Sequence, residues 1–245
     1  MNKIYFDCTG GVSGDMVFSA MLGLLDTEEE KNFVEQELKK LNFGCGHGHE
    51  HSHTHGDTDG HTHCEHRHER THQHTHRSYR EIKDLILQSE VSENAKEIAL
   101  AIYAVIAKAE ASVHETTIEE VHFHEVGRDE AVRNIVGIAI CADKLAVSEA
   151  YCSAIHDGRG FIECSHGTIP VPAPAVMAMR EDCAYVFVTD EVETEMVTPS
   201  GLAVLIGLGA VCSESLPQGK ALREAVVFGK RQTGKTEGFK AMLFK

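Results

Sequence analysis

The chain has 245 residues, 38 acidic against 23 basic side chains and a net charge of −15. That is room for one large domain or two small ones, and too acidic for a nucleic-acid partner, whose phosphates demand clustered Lys and Arg. Its longest apolar runs, such as "IVGIAICADKLAV", are broken by charge well short of a bilayer span, and no signal pattern follows Met1. The expectation is therefore a cytoplasmic protein without a membrane partner.

In chain order, "KIYFDCTGGVSGDM" predicts a short buried strand, a glycine turn and a helix start capped by Ser13 or Asp15. "MVFSAMLGLL" continues that helix with apolar residues at helical spacing, and "EEEKNFVEQELKKL" predicts a second, more polar one. The composition then collapses. Of 17 histidines in the chain, 12 fall between His47 and His76, at almost every second position. Apolar residues are nearly absent there, so the run cannot bury enough surface to offset its ordering entropy. Residues 44–77 are read as a disordered His-rich insert, which leaves about 210 residues for a core.

Order resumes at "SYREIKDLILQSE". A long amphipathic helix capped by Ser92 follows, then the short, extended or turn-like "TTIEEVHFHEVG", then the largely apolar helix "DEAVRNIVGIAICADKL". "EAYCSAI" and "FIECSHG", joined by "HDGRG", predict a β-hairpin. The prolines of "TIPVPAPAVMAMRED" cannot continue a central strand but can start a helix. "AYVFVTD" predicts a strand, "TPSGLAVLIGLGA" a helix with Pro199 in its first turn, and "EAVVFGKR" the last strand. The class expected is α/β, or α+β, with a mixed sheet and packed helices.

The tract carries the plainest chemistry. Neutral imidazole is a borderline ligand suited to zinc, nickel and copper, and it binds only when deprotonated. His47, His49, His51, His53, His55, His61 and His63 alternate with small or polar residues, so neighbouring rings can share an ion. Such a run has no fixed geometry, so it should store or deliver metal and not catalyse. Cys45 and Cys64 lie inside it as soft co-ligands. The other six cysteines are scattered, with no C-x-x-C pair, and are read as buried small hydrophobes.

Other motifs have ordered surroundings. In "VHFHE", an extended backbone puts His122 and His124 on one face beside Glu125. His166 heads the proline-stiffened "HGTIPVPAPA" and, with His114, is a candidate to complete a site. In "DCTGGVSGD", Gly10, Gly11, Ser13 and Gly14 permit close backbone approach at a helix start, where phosphate is attracted, and Asp15 enters that helix. Asp7 and Asp15 could instead hold a cation. Thr198 and Ser200 of "TPSG" form a second candidate anion cradle. Plain turn chemistry is the alternative at each position. "GKRQTGKT", Gly229 to Thr236, satisfies the phosphate-loop pattern, but too little chain follows for the required helix and carboxylate, so a working loop is not expected.

Taken together and in this order, "FDCTGGVSGDM", the His-rich insert before "HRSYREI", "VHFHEVG", "HGTIPVPAPA" and "TPSG" resemble the nickel insertion proteins of nickel-pincer nucleotide biosynthesis, the LarC family. The resemblance runs from residue 3 to about residue 230. It implies insertion of nickel into pyridinium-3,5-bisthiocarboxylic acid mononucleotide, through one carbon–nickel and two sulfur–nickel bonds, to give the cofactor of lactate racemase. It also implies dependence on CTP with a divalent metal, Mg or Mn, at a site in the family's C-terminal region. Residues 1–245 then resemble the N-terminal half, with 225–245 as the start of a truncated C-terminal region. Partners implied are the mononucleotide, a C-terminal half and lactate racemase or another nickel-pincer enzyme; a homo-oligomer is left open. Where the family carries two acids after "HEVG", this chain keeps Glu130 but has Asn134. The expected roles are His122, His124 and His166 as ordered metal ligands, and His124, Glu125 and Asp15 as catalytic groups. Gly10, Gly11, Ser13, Gly14, Thr198 and Ser200 are expected around the nucleotide. The rival reading is a nickel or zinc storage chaperone without catalysis.

Overall fold

A computed structural model describes residues 1–41, 43, 77–164 and 167–245, and these form eighteen elements. The histidine tract, His166 and the two tract cysteines lie outside the described residues.

Five strands form the central sheet in the order β10-β11-β1-β4-β9: β10 (Ala221–Val227), β11 (Phe239–Phe244), β1 (Asn2–Asp7), β4 (Val147–Cys152) and β9 (Val211–Cys212). β11 runs antiparallel to both neighbours, while β1, β4 and β9 are mutually parallel, so the sheet is mixed. Alternation sorts its faces. Ile4, Phe6, Ala150, Cys152, Phe239, Ala241 and Leu243 enter the core, with Phe6 stacked on Phe239 at 5.8 Å. The other face carries Lys3, paired with Glu149, and Tyr5 opposite Tyr151.

Helices cover the core face. α1 (Gly14–Gly23) lies on β10 and β11, and α5 (Asp129–Lys144) packs on β4, α1 and α2 (Glu28–Leu38). α4 (Glu93–Val113) lies over α5, α6 (Pro174–Glu181) and α7 (Pro199–Gly207), and takes α3 (Tyr79–Gln88) against it. The caps follow local chemistry. Ser13 accepts from the Met16 amide, Thr27 from Glu30, Ser92 from Ala95 and Thr198 from Gly201, while Ser78 and Glu81 close a capping box. Pro174 and Pro199 open α6 and α7, as expected. No helix among the described residues is long and apolar enough to cross a membrane.

Short strands make the remaining pairs: β2 (Arg77–Ser78) with β3 (His122–Phe123), β5 (Ile155–Asp157) with β8 (Phe187–Thr189), and β6 (Gly160–Cys164) with β7 (Gly167–Val171). These correct three expectations. The expected hairpin does not form: β4 joins the central sheet, β5 pairs in parallel with β8, and β6 turns back on β7. The last strand is β11, and residues 225–245 supply it together with the end of β10. Arg77, placed in the insert by composition, is buried in β2; its guanidinium donates to the Gly127 carbonyl at 2.9 Å and pairs with Asp129 at 2.6 Å.

Candidate functional site

Two glycine-bearing turns meet at the site. After β1, Asp7 accepts from the amide and hydroxyl of Thr9 at 3.1 and 2.6 Å, curling the chain into the glycines. Gly11 has φ +84°, and a Cβ there would overlap the Met196 carbonyl. That closeness lets Val12 bridge the second turn: its amide donates to Met196 O at 2.8 Å, and its carbonyl accepts from the Thr198 amide at 3.0 Å. The starts of α1 and α7 are thereby laid side by side. The Ser13 hydroxyl donates to Asp15 at 2.5 Å, and the hydroxyls of Thr198 and Ser200 lie 3.1 Å apart.

The second turn is also held from below. Asp157, fully buried at the end of β5, accepts from the amides of Met196 and Val197 at 3.2 and 3.1 Å and pairs with Arg180 at 3.2 Å. The next residue, Gly158, packs so tightly that a Cβ would overlap the Thr194 carbonyl. Residues 194–198 are thus fixed by a buried carboxylate on one side and the first glycine turn on the other.

Three adjoining clefts open around this junction, and Thr198 lines all of them. The first, about 470 Å³, runs between the glycine turn (Gly10, Ser13, Asp15) and the loop joining β10 to β11, which contributes Lys230, Arg231 and Lys235. The second, about 410 Å³, has an apolar side of Ile162, Ile169 and Pro174 facing His114, His124 and Glu125. The rings of His114 and His124 are 5.9 Å apart, and His114 lies 3.5 Å from Glu110. The third, about 200 Å³, gathers Asp15, Glu125, Glu130 and Asn134. Glu195 and Arg231 line both of the larger clefts.

The electrostatics are dominated by paired charge. Burial pushes the Glu195 carboxyl up to about 7; Arg231 at 3.3 Å opposes the rise, while the negative charges of Asp157 and Glu125 add to it. Asp15 and Glu130, 3.5 and 3.4 Å from Lys230, raise that ammonium. Burial pushes Asp190 up, but hydrogen bonds from Lys235 (2.5 Å) and His156 (3.0 Å) outweigh it and hold the carboxyl below its usual range.

Of the residues singled out by sequence, Asp15, Glu125, His124, Gly10, Ser13, Gly14, Thr198 and Ser200 all line these clefts, and Gly11 shapes the turn behind them. His122 does not join them. β3 ends at Phe123, and His122 stands exposed opposite Ser78. His166 and His47 to His63 fall outside the described residues. Among the described residues no group of three or more His, Cys, Asp or Glu is arranged to hold a metal ion. Sequence reasoning missed Glu195, Asp157 and Arg231. The available signal was an acid three residues before "TPSG", and a cationic loop set aside because no helix follows it. That loop indeed enters β11, not a helix, yet it forms one wall of the site.

A family model described as "Nickel insertion protein" matches residues 4–244. The chain is 38% identical, over 99% of its length, to 60% of the pyridinium-3,5-bisthiocarboxylic acid mononucleotide nickel insertion protein of Acetivibrio thermocellus. It is 38% identical to the protein of that name from Clostridium kluyveri, over 84% of this chain and 53% of the relative, and 34% identical to that of Alkaliphilus metalliredigens, over 83% and 51%. The chain thus spans between half and three-fifths of these relatives' length. No solved structure matches it.

Proposed function

The chain belongs to the nickel insertion protein family, and from that premise we propose that it takes part in inserting nickel into pyridinium-3,5-bisthiocarboxylic acid mononucleotide, yielding the nickel-pincer cofactor of lactate racemase. The observation that carries this reading is the junction at Thr198, where a cleft with a built glycine turn and cations adjoins one with imidazole, carboxylate and apolar walls.

The phosphate monoester lies in the first cleft, against the N-terminus of α1 and the Lys230 loop. The pyridinium ring lies in the second, its positive charge facing Glu125 and its flat faces on Ile162 and Ile169. Nickel, the substrate metal, is gathered by the tract imidazoles and passed to His124. An ordered pocket that retained nickel with three or four protein donors would not release it. A wall offering His124 and His114 leaves the two substrate sulfurs to complete the transfer. Nickel stays divalent. The ring carbon loses a proton, the electron pair of its C–H bond forms the carbon–nickel bond, and the ionised thiocarboxylates supply two sulfur–nickel bonds. Asp15 and Glu125 line the acidic recess between the clefts, where the entering cation is attracted.

CTP with Mg or Mn belongs to this proposal only through the resemblance. The described residues do not fit a triphosphate. The loop of Lys230, Arg231 and Lys235 enters β11 and lacks the following helix that a triphosphate cradle needs. We assign its site to a C-terminal part like that of the longer relatives.

The test uses purified chain, substrate mononucleotide and nickel, with and without a C-terminal half and CTP, and mass spectrometry for the nickel-loaded product. Product that requires this chain supports the proposal. Nickel binding without product in every combination would leave a storage chaperone.

A further inference from the structure

Resting on that reading, we propose that Glu195 is the base that takes the ring-carbon proton as nickel enters, and that Arg231 gates it by moving from Glu195 to the substrate phosphate.

Position is the first argument. Glu195 lines both larger clefts, so one carboxylate reaches the cavity assigned to the ring and the cavity assigned to the phosphate. Rigidity is the second. The two amides that follow Glu195 are held by Asp157, the carbonyl before it is packed on Gly158, and Val12 bridges Met196 and Thr198. A base that must meet a particular C–H bond gains from such fixed placement. Competition is the third. Asp15 is bound by Ser13 and Lys230, and 35% of its side chain is exposed, against 8% for Glu195. Water therefore damps proton transfer at Asp15 more than at Glu195.

Three charged groups act on Glu195: Arg231 from the β10–β11 loop, Asp157 from β5, and Glu125 from the turn after β3. The two acids favour its protonation and the guanidinium opposes it. Burial and these neighbours set its proton affinity near neutrality, where a general base works best. Arg231 is the member with room to turn, 49% of its side chain being exposed and its contact to Glu195 being 3.3 Å long. It also lines the cleft assigned to the phosphate. A phosphate dianion there competes for the guanidinium. Once Arg231 turns to it, Glu195 loses its counter-charge and becomes the stronger base only when substrate is present. The proton moves from ring carbon to Glu195 carboxylate, the C–H electrons become the C–Ni bond, and the acid then releases its proton to water.

The experiment measures single-turnover formation of nickel-loaded product by the chain with its C-terminal half, CTP, substrate and nickel, across pH 5.5–8.5. Glu195→Gln should slow product formation by about 100-fold or more, with nickel binding within about twofold and a native circular-dichroism spectrum. Glu195→Asp, which keeps the carboxylate, should recover part of the rate and a pH inflection. Arg231→Gln should weaken substrate binding and move the inflection upward in the rate measured at limiting substrate, which reports the free protein where the opposing cation is gone. Product formation by Glu195→Gln within about threefold of wild type, or an unmoved inflection in Arg231→Gln, overturns the proposal. If the wild-type system itself makes no product, the underlying nickel-insertion reading fails, and this inference with it.

Discussion

Asp157 and Arg180 face each other across 3.2 Å inside the protein, and the remaining capacity of the carboxylate holds the amides of Met196, Val197 and Gly158. Burial raises the Asp157 carboxyl, and only these partners make its charged form tolerable there. Asp157→Ala should cost about 3–5 kcal/mol, since it strands a partly buried guanidinium and three amides at once. Urea denaturation measures this. Asp157→Asn keeps an amide acceptor and should lose less. Equal losses in the two variants would show that the amide contacts contribute little.

Gly11 and Gly167 both have φ +84°, but only Gly11 abuts another backbone. Alanine at Gly167 should cost about 1 kcal/mol of conformational strain. Alanine at Gly11 adds overlap with the Met196 carbonyl and should cost at least about twice that, with loss of insertion activity. The difference between the two urea midpoints reports the contact between the turns.

Glu195 should leave a mark on stability against pH. Its folded carboxyl titrates near 7, against an ordinary value of 4.5. Between those values the folded protein binds more protons than the unfolded chain, so stability falls as pH rises through this window and is fully retained below it. The size is about 3 kcal/mol. Glu195→Gln should remove this component. Chemical denaturation at pH 5 and pH 8 should therefore show a smaller loss of stability in the variant than in wild type, and parallel losses would contradict the assignment.

His124 and the tract should separate in their effects. His124→Ala, with the tract intact, should abolish insertion even at saturating nickel. Deleting residues 46–76 should raise the nickel concentration needed for half-maximal product and leave the saturated rate close to wild type. Insertion by His124→Ala at the wild-type rate would remove that residue from the site.

Helices were readable where one face repeats at 3.6 residues and a hydroxyl precedes it, as at Ser13 and Ser92. Strand partners were not, because nothing local in "EAYCSAI" tells it to pair with β1 and β9 in place of "FIECSHG". The short run "FKAMLF" gave no hint that it lies inside the sheet, between β10 and β1. At the site, the glycine turn, "HFHE" and "TPSG" announce themselves as motifs. Glu195 does not. Glu191, Glu193 and Glu195 alternate in one acidic stretch. The first two are exposed and pair with Arg159, whereas the third turns into the clefts. Burial separates them, and burial depends on long-range packing that no short window contains.

The place of β11 shapes how the molecule comes into being. β1 is synthesised well before one of its two neighbours, Phe239–Phe244, with most of the described elements between them. Until β11 emerges, a nascent chain therefore carries an unsatisfied flank on the strand that bears Ile4 and Phe6, open to pairing with other polypeptides. Closure of the sheet, and with it the wall of the site formed by the β10–β11 loop, is necessarily a late event, and a holdase that shields β1 until then would raise the yield of native protein.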